Sequence, residues 1–123
     1  MPANAQLHGF VPHTPVLERA CLLISHAGHG AVMAGLRHGV PMVLVPWGRD
    51  QPGVAARAEA MGVAEVVPRS DCTQERLAEA ISRVLNNVRY AEVARQASAR
   101  LCAERPAERA CLQLEQLLSG AAT

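Results

Sequence analysis

Two short apolar runs, at residues 21–25 and 42–47, stand out from the more polar pattern of the chain. Each run is followed by a loop with glycine or polar residues, and then by a segment in which the apolar positions have helical spacing. Continuous apolar runs of this length are typical of strands that are buried on both faces of a parallel sheet. We therefore predict two central parallel strands, each leading through a loop into a helix.

Capping residues and prolines indicate where the helices begin and end. The helix predicted at residues 31–38 is followed by Gly39, which is suited to a left-handed cap. Asp50 is expected to cap the next helix, which carries Pro52 in its first turn and ends before Gly62. The other expected elements are strands at residues 7–11 and 65–67, a short helix at residues 15–20, a helix capped by Thr73, and helices at residues 89–103 and 106–119.

This order of elements predicts the fold class. Strand, loop and helix alternate three times, which indicates right-handed parallel crossovers and an α/β fold. We expect a parallel sheet of about four short strands flanked by helices, with a helical C-terminal tail, in one domain over residues 1–123. Ligands of such sheets bind at the carboxyl ends of the strands, beside helix N-termini. The loops at residues 25–30 and 46–51 are therefore the candidate sites.

Composition narrows the class of protein further. Hydrophobic residues make up 50% of the 123 residues but aromatic ones only 2%, so the core must be aliphatic. A formal net charge of +1 argues against binding to nucleic acid, which usually needs a concentrated basic face. No apolar run approaches the roughly 20 residues of a membrane span, and the first ten residues lack the pattern of a signal peptide. We expect a cytoplasmic protein without a membrane span.

Cysteine and histidine spacing does not predict a metal site. The four cysteines form no C-x-x-C pair and match no zinc pattern. We expect them to be reduced thiols that serve as small apolar residues. His26 and His29 are three residues apart, but no carboxylate or thiol lies near them in sequence to complete a ligand set. We therefore expect no metal.

The loop after the first apolar run combines a histidine with two glycines. Gly28 and Gly30 would let the backbone approach a ligand and adopt positive φ. The helix that follows presents unpaired N–H groups and a partial positive charge, which suits a diphosphate. His26 would add a hydrogen bond or a positive charge. A tight turn, in which the glycines serve geometry alone, explains the local pattern equally well.

The loop after the second apolar run ends in Asp50 and Gln51. Helix capping alone would explain Asp50. Gln51 has no structural role that the sequence indicates. Together the two side chains offer several acceptors and two donors, which suits the vicinal hydroxyls of a sugar. A packing role and a functional role explain the presence of Trp47 equally well.

Taken in order, these residues resemble the donor-binding signature of a glycosyltransferase family that includes plant secondary-product, mammalian glucuronosyl and bacterial macrolide and antibiotic enzymes. The signature consists of an aromatic-x-Pro, a leucine, a His-x-Gly loop, a Gly-Val-Pro and a proline followed by Asp-Gln. Here these stand as Phe10-Val11-Pro12, Leu17, His26-Ala27-Gly28, Gly39-Val40-Pro41, and Pro46 with Asp50-Gln51. The ordered match covers about residues 8–62, and the bacterial branch fits best.

The resemblance implies a role for each of these residues in binding a nucleoside-diphosphate sugar, a substrate that needs no cofactor. The nucleobase would lie beside Phe10 and Val11, with Phe10 at the stacking position. His26 would contact the diphosphate, and the transferred sugar would be held by Asp50 and Gln51. The phosphate loop would be formed by Gly28, His29, Gly30 and Ala31. The implied fold is part of a Rossmann-like domain, and the implied reaction moves a hexose or deoxyhexose to a small hydrophobic acceptor.

The chain also departs from the family pattern. Ala31 stands where relatives usually have Ser or Thr, and Ala34 stands where many users of uridine diphosphate have Glu. Relatives carry an N-terminal acceptor domain, which supplies the catalytic base, and two βα units that would precede these residues. We therefore expect an N-terminally incomplete donor domain without a catalytic residue of its own. Its expected partners are an acceptor domain and a second copy paired along the exposed edge of the strand at residues 21–25.

Two other interpretations stay open beside the donor-binding one. A non-catalytic nucleotide-binding or assembly module would keep the fold without the transferase activity. An unrelated dinucleotide-binding domain is disfavoured, because the chain has no G-x-G-x-x-G motif and no acidic residue at the end of the second strand.

Overall fold

A three-stranded parallel sheet lies at the centre of the structure, a computed structural model that describes residues 1–121. Its strands are β1 (Leu23–Ser25), β2 (Met42–Leu44) and β3 (Ala64–Val66), in that spatial order. Leu23 stands opposite Met42 in the first pair, and Met42 stands opposite Ala64 in the second. The predicted α/β class is confirmed.

Helices cover both faces of the sheet and continue beyond it. They are α1 (His13–Leu17), α2 (His29–His38), α3 (Gln51–Met61), α4 (Gln74–Asn86), α5 (Val88–Glu104) and α6 (Pro106–Ala121), with a 3₁₀ turn at Arg69–Asp71. The left-handed caps are confirmed, since Gly39 and Gly62 have φ angles of 67° and 81°. The Thr73 cap is also confirmed, because its hydroxyl oxygen accepts a hydrogen bond from the Arg76 N–H at 3.1 Å.

Asp50 does not cap α3 in the predicted way. It occupies the N-cap position, but its side chain accepts no hydrogen bond from the first turn. A capping side chain needs an extended backbone at its own residue, and Asp50 instead has nearly helical angles of −80° and −12°. The Asp50 carboxylate is therefore not used by the helix.

The strand predicted at residues 7–11 is wrong, and the described chain has three strands rather than four. Leu7 and Phe10 are 82% and 86% exposed. A strand requires a neighbour to pair with, and within residues 1–121 β1 pairs with β2 alone. The segment therefore lies on the surface, outside the sheet.

The core is aliphatic, as predicted, and lies on both sides of β2. Met42 and Leu44 face a cluster built with α2, α3 and α5, whereas Val43 faces a second cluster with α4. This alternation is the two-residue period of a strand, and all three side chains are fully buried. The four cysteines, at Cys21, Cys72, Cys102 and Cys111, are exposed, so the expectation that they act as apolar packing residues is wrong.

One carboxylate is buried in the structure. Glu65 on β3 is 6% exposed, and its Oε1 accepts hydrogen bonds from Arg76 at 3.1 Å and Arg83 at 2.9 Å. Both arginines belong to α4, so these two ion pairs fasten that helix to β3 at the edge of the sheet. None of the helices within residues 1–121 combines the length and apolar character that crossing a membrane requires.

Candidate functional site

The carboxyl ends of the three strands lead into one group of loops. Ser25 ends β1 just before His26, Leu44 ends β2 before the loop that carries Trp47, and Val66 ends β3 before the turn that carries Arg69. Because the strands are parallel, these loops share one edge of the sheet. Both loops that the sequence indicated therefore lie at this edge.

The imidazole of His26 lies directly over Gly28. A Cβ built on Gly28 would stand 2.7 Å from the His26 Nε2, a separation that Cβ atoms in proteins essentially never show. Gly28 itself has a φ of −60° and a ψ of 137°, which any residue can adopt. The predicted positive φ at Gly28 and Gly30 is therefore wrong, and Gly28 serves to admit the histidine ring.

The left-handed residue of this loop is Ala27, with a φ of 67°. Ala27 is completely buried, and its N–H donates to the Ser25 hydroxyl oxygen at 3.3 Å. An L-residue in this conformation costs about 1 kcal/mol, so packing must hold the turn in place. The turn brings Gly28 to the N-cap position of α2.

The first turn of α2 leaves its N–H groups available. The first bond inside the helix runs from the Val32 N–H to the Gly28 carbonyl at 3.1 Å, and no side chain caps the turn. The N–H groups of His29, Gly30 and Ala31 come before that bond. A Cβ on Gly30 would meet no heavy atom within 4 Å, so the space beside it is open. This geometry suits a phosphate group.

Gln51 organises the second loop, a role that the sequence did not indicate. Its Oε1 accepts hydrogen bonds from the N–H groups of Trp47 at 2.8 Å and Gly48 at 3.3 Å. Since both partners are donors, the amide oxygen must face them, and the amide nitrogen is left to donate elsewhere. Asp50 beside it is exposed, and its carboxylate makes no hydrogen bond or ion pair with residues 1–121. Arg49 completes the turn with a φ of 58°.

Arg69 belongs to the same edge, although no sequence motif indicated it. Its guanidinium carbon lies 4.0 Å from the centroid of the Trp47 ring. Trp47 is nevertheless 61% exposed, so the arginine covers only part of the indole. The contact joins the loop after β2 to the turn after β3.

The N-terminal segment contributes an apolar cleft of about 200 Å³ beside the phosphate loop. It is lined by Val11, His13, Val16, Leu17, Leu23 and Ala31. Two residues expected in the site, Val11 and Ala31, thus share this cleft. Phe10 is not among its lining residues and projects into solvent.

Comparison with known proteins gives the family. Residues 1–117 match the family described as Erythromycin biosynthesis protein CIII-like, C-terminal domain. The chain belongs to this family. Among relatives, the chain is 34% identical over 96 residues to the uncharacterized UDP-glucosyltransferase YojK of Bacillus subtilis, a match that covers 78% of this chain and 24% of that protein. It is 30% identical over 115 residues to the oleandomycin glycosyltransferase of Streptomyces antibioticus, a match that covers 94% of this chain and 27% of that enzyme.

Solved structures of glycosyltransferases share the fold. The glycotransferase of kitacinnamycin superposes with a TM-score of 0.87 at 32% identity, covering 94% of this chain and 30% of that one. The calicheamicin glycosyltransferase CalG4 superposes with a TM-score of 0.90 at 26% identity, covering 100% of this chain and 32% of that one. The resemblance drawn from the sequence is thus confirmed, and the chain spans 24% to 32% of these relatives' length.

Proposed function

We propose that this chain binds the nucleoside-diphosphate sugar of a glycosyltransferase, which moves a hexose or deoxyhexose to a hydroxyl of a small hydrophobic acceptor. The observation that carries the proposal is the start of α2, where open N–H groups stand beside the imidazole of His26. Hydrogen-bond donors placed where charge develops would stabilise the departing nucleoside diphosphate. One family relative, the glycosyltransferase VinC, was solved in complex with dTDP.

Each part of the donor has a proposed place at this edge. The diphosphate lies against the N–H groups of His29, Gly30 and Ala31, with His26 donating from the side. The transferred sugar meets the Asp50 carboxylate and the Gln51 amide nitrogen, neither of which is used within the described chain. The nucleobase lies at the apolar cleft by Val11, which Phe10 can cover only by moving from its solvent-exposed position.

Transfer requires groups that we do not place on this chain. We propose that the acceptor and the general base belong to an acceptor-binding domain that acts together with it, as an attached segment or a separate subunit. The chain accordingly binds the donor by itself and transfers no sugar until that domain is present. Transfer to an acceptor by the purified 123-residue chain would contradict this part of the proposal.

Calorimetric titration tests donor binding directly. Wild-type chain should bind dTDP or UDP, and His26→Ala should weaken binding by about 1–3 kcal/mol, the cost of losing a charge-assisted hydrogen bond. His8→Ala is the matched control, because His8 is exposed in the N-terminal segment and bonds only to Gln6 within residues 1–121. Equal affinities for wild type and His26→Ala would contradict the assignment. Absence of all nucleotide binding would favour the assembly module instead.

We also propose that the chain pairs with a second copy along β1. This strand is bonded to β2 on one side only, and alternation along a parallel strand turns the backbone groups of Ile24 toward the open edge. The Ile24 side chain is 48% exposed there. Light scattering should show a dimer that Ile24→Lys converts to monomer. A wild-type monomer, or a dimer that Ile24→Lys leaves unchanged, would contradict pairing at this edge.

A further inference from the structure

The stacked pair of Arg69 and Trp47 connects a residue outside the sequence motifs to the proposed sugar-binding loop. The backbone of Trp47 is held within that loop, because its backbone N–H donates to the Gln51 Oε1 at 2.8 Å. Its indole extends from the loop and is 61% exposed. An exposed indole beside a polar pair is typical of ligand sites, which combine aromatic walls with a few oriented polar groups.

The turn that carries Arg69 is well anchored. Just before it, the Val67 N–H donates to the Leu44 carbonyl at 2.9 Å, and the Val67 side chain is fully buried. The turn closes through a bond from the Asp71 N–H to the Pro68 carbonyl at 2.9 Å. The position of Arg69 over Trp47 therefore follows from the pairing of β3 with β2.

The guanidinium of Arg69 makes no ion pair with a carboxylate of residues 1–121. Its neighbour Asp71 pairs instead with Arg76, at 3.6 Å. The electrostatic partner of Arg69 is thus the π face of Trp47, 4.0 Å away. Such a contact restricts the rotation of an otherwise exposed indole.

We propose that Arg69 is a positioning residue, which holds the Trp47 indole as a side wall for the transferred sugar. The inference rests on the proposed function, because it assumes that Gln51 and Asp50 meet the sugar. The apolar C–H face of a hexose packs against an indole held in this way. Arg69 therefore favours the nucleotide sugar over the bare nucleoside diphosphate, and it acts through Trp47 rather than by contact with the reacting atoms.

Fluorescence quenching tests the stack, since Trp47 is the only tryptophan of the chain. Arg69→Ala should raise the accessibility of Trp47 to a neutral quencher, while Arg69→Lys, which keeps the positive charge, should restore part of the protection. Arg109→Ala is the matched control, because Arg109 is exposed on α6 and its substitution removes the same positive charge. Unchanged quenching in Arg69→Ala, with an unchanged circular dichroism spectrum, would overturn the stack.

Titrations with dTDP and dTDP-glucose test the consequence for binding. Arg69→Ala should weaken the binding of dTDP-glucose about threefold, as expected from an exposed cation–π contact, and leave the affinity for dTDP unchanged. In a Trp47→Leu background the same change should have no further effect, because Arg69 acts through the indole. Equal loss of affinity for both ligands would show that Arg69 contacts the diphosphate. No change in either affinity would show that the stack is only surface packing. Both results overturn the proposal. If wild type binds neither ligand, the proposed function fails, and the sugar-site role of Arg69 fails with it.

Discussion

The His26 imidazole occupies the space where a side chain on Gly28 would begin, with Nε2 only 2.7 Å from the ideal Cβ position. The histidine is exposed, and no other described residue forms a hydrogen bond with its ring. Its position over the start of α2 therefore depends on the absence of a side chain two residues later. This dependence separates the role of Gly28 from that of a glycine required by its backbone angles.

Gly28→Ala should weaken nucleoside diphosphate binding about as much as His26→Ala, by roughly 1–3 kcal/mol. The alanine methyl group displaces the imidazole, while the backbone angles of −60° and 137° remain allowed. Stability should therefore change little, as denaturant unfolding will show. In the His26→Ala background, Gly28→Ala should add no further loss of affinity. A full additional loss would mean that the methyl group blocks the ligand itself.

Gln51 permits a comparison that separates its two proposed roles. Gln51→Ala removes the acceptor for the Trp47 and Gly48 N–H groups, and should lower the free energy of unfolding by about 1 kcal/mol. Gln51→Glu keeps that acceptor and replaces the donor amide by a negatively charged oxygen on an exposed loop, so stability should stay near wild type. Both variants should bind dTDP normally and dTDP-glucose weakly. If Gln51→Glu binds dTDP-glucose as well as wild type does, the amide nitrogen does not hold the sugar.

Arg49 should be a site where glycine stabilises the chain. Its φ of 58° lies in the left-handed region, and its exposed side chain makes no hydrogen bond or ion pair with residues 1–121. Arg49→Gly should therefore raise the free energy of unfolding by about 0.5–1 kcal/mol. Arg57→Gly, in the middle of α3, is the control and should lower it by about 1 kcal/mol. Destabilisation of similar size in both variants would show that Arg49 has a packing role.

Structural roles that depend only on residues nearby in the chain could be predicted best from the sequence. Gly39, Gly62 and Thr73 act at helix ends through their own backbone angles or a hydroxyl three residues away, so their roles could be read from the chain. The Arg69–Trp47 stack could not, because it depends on β3 lying beside β2. The error at residues 7–11 has the same origin, since an extended apolar segment becomes a strand only where a distant segment pairs with it.

The loop chemistry was only partly predictable for a related reason. The His26, Asp50 and Gln51 positions follow from the family pattern, but which backbone groups they face depends on the path of each loop. That path turns at Ala27 and Arg49, two residues that rarely adopt positive φ and that no propensity would select. Gln51 could therefore not be recognised from the sequence as the residue that closes its loop.

Tyr90 should titrate above the ordinary range of a tyrosine. Partial burial against the core cluster beside α4 is the largest cause of its raised pKa, and the negative charge of Glu65 raises the pKa further, while the positive charge of Arg83 opposes the shift. Tyr90 is the only tyrosine, so tyrosinate absorbance reports its titration directly. Glu65→Gln should lower the pKa of Tyr90 and Arg83→Gln should raise it. Shifts in the same direction would contradict the electrostatic origin.

The raised pKa of Tyr90 also predicts how stability depends on pH. The folded state holds the phenol proton more tightly than the unfolded state, so the stabilisation is fully present below the unfolded pKa and is lost as pH rises through the folded pKa. The free energy of unfolding should therefore fall on the alkaline side of the ordinary tyrosine pKa. Tyr90→Phe has no phenol proton to lose and should not show this decline. The same alkaline decline in Tyr90→Phe would assign the loss of stability to another group.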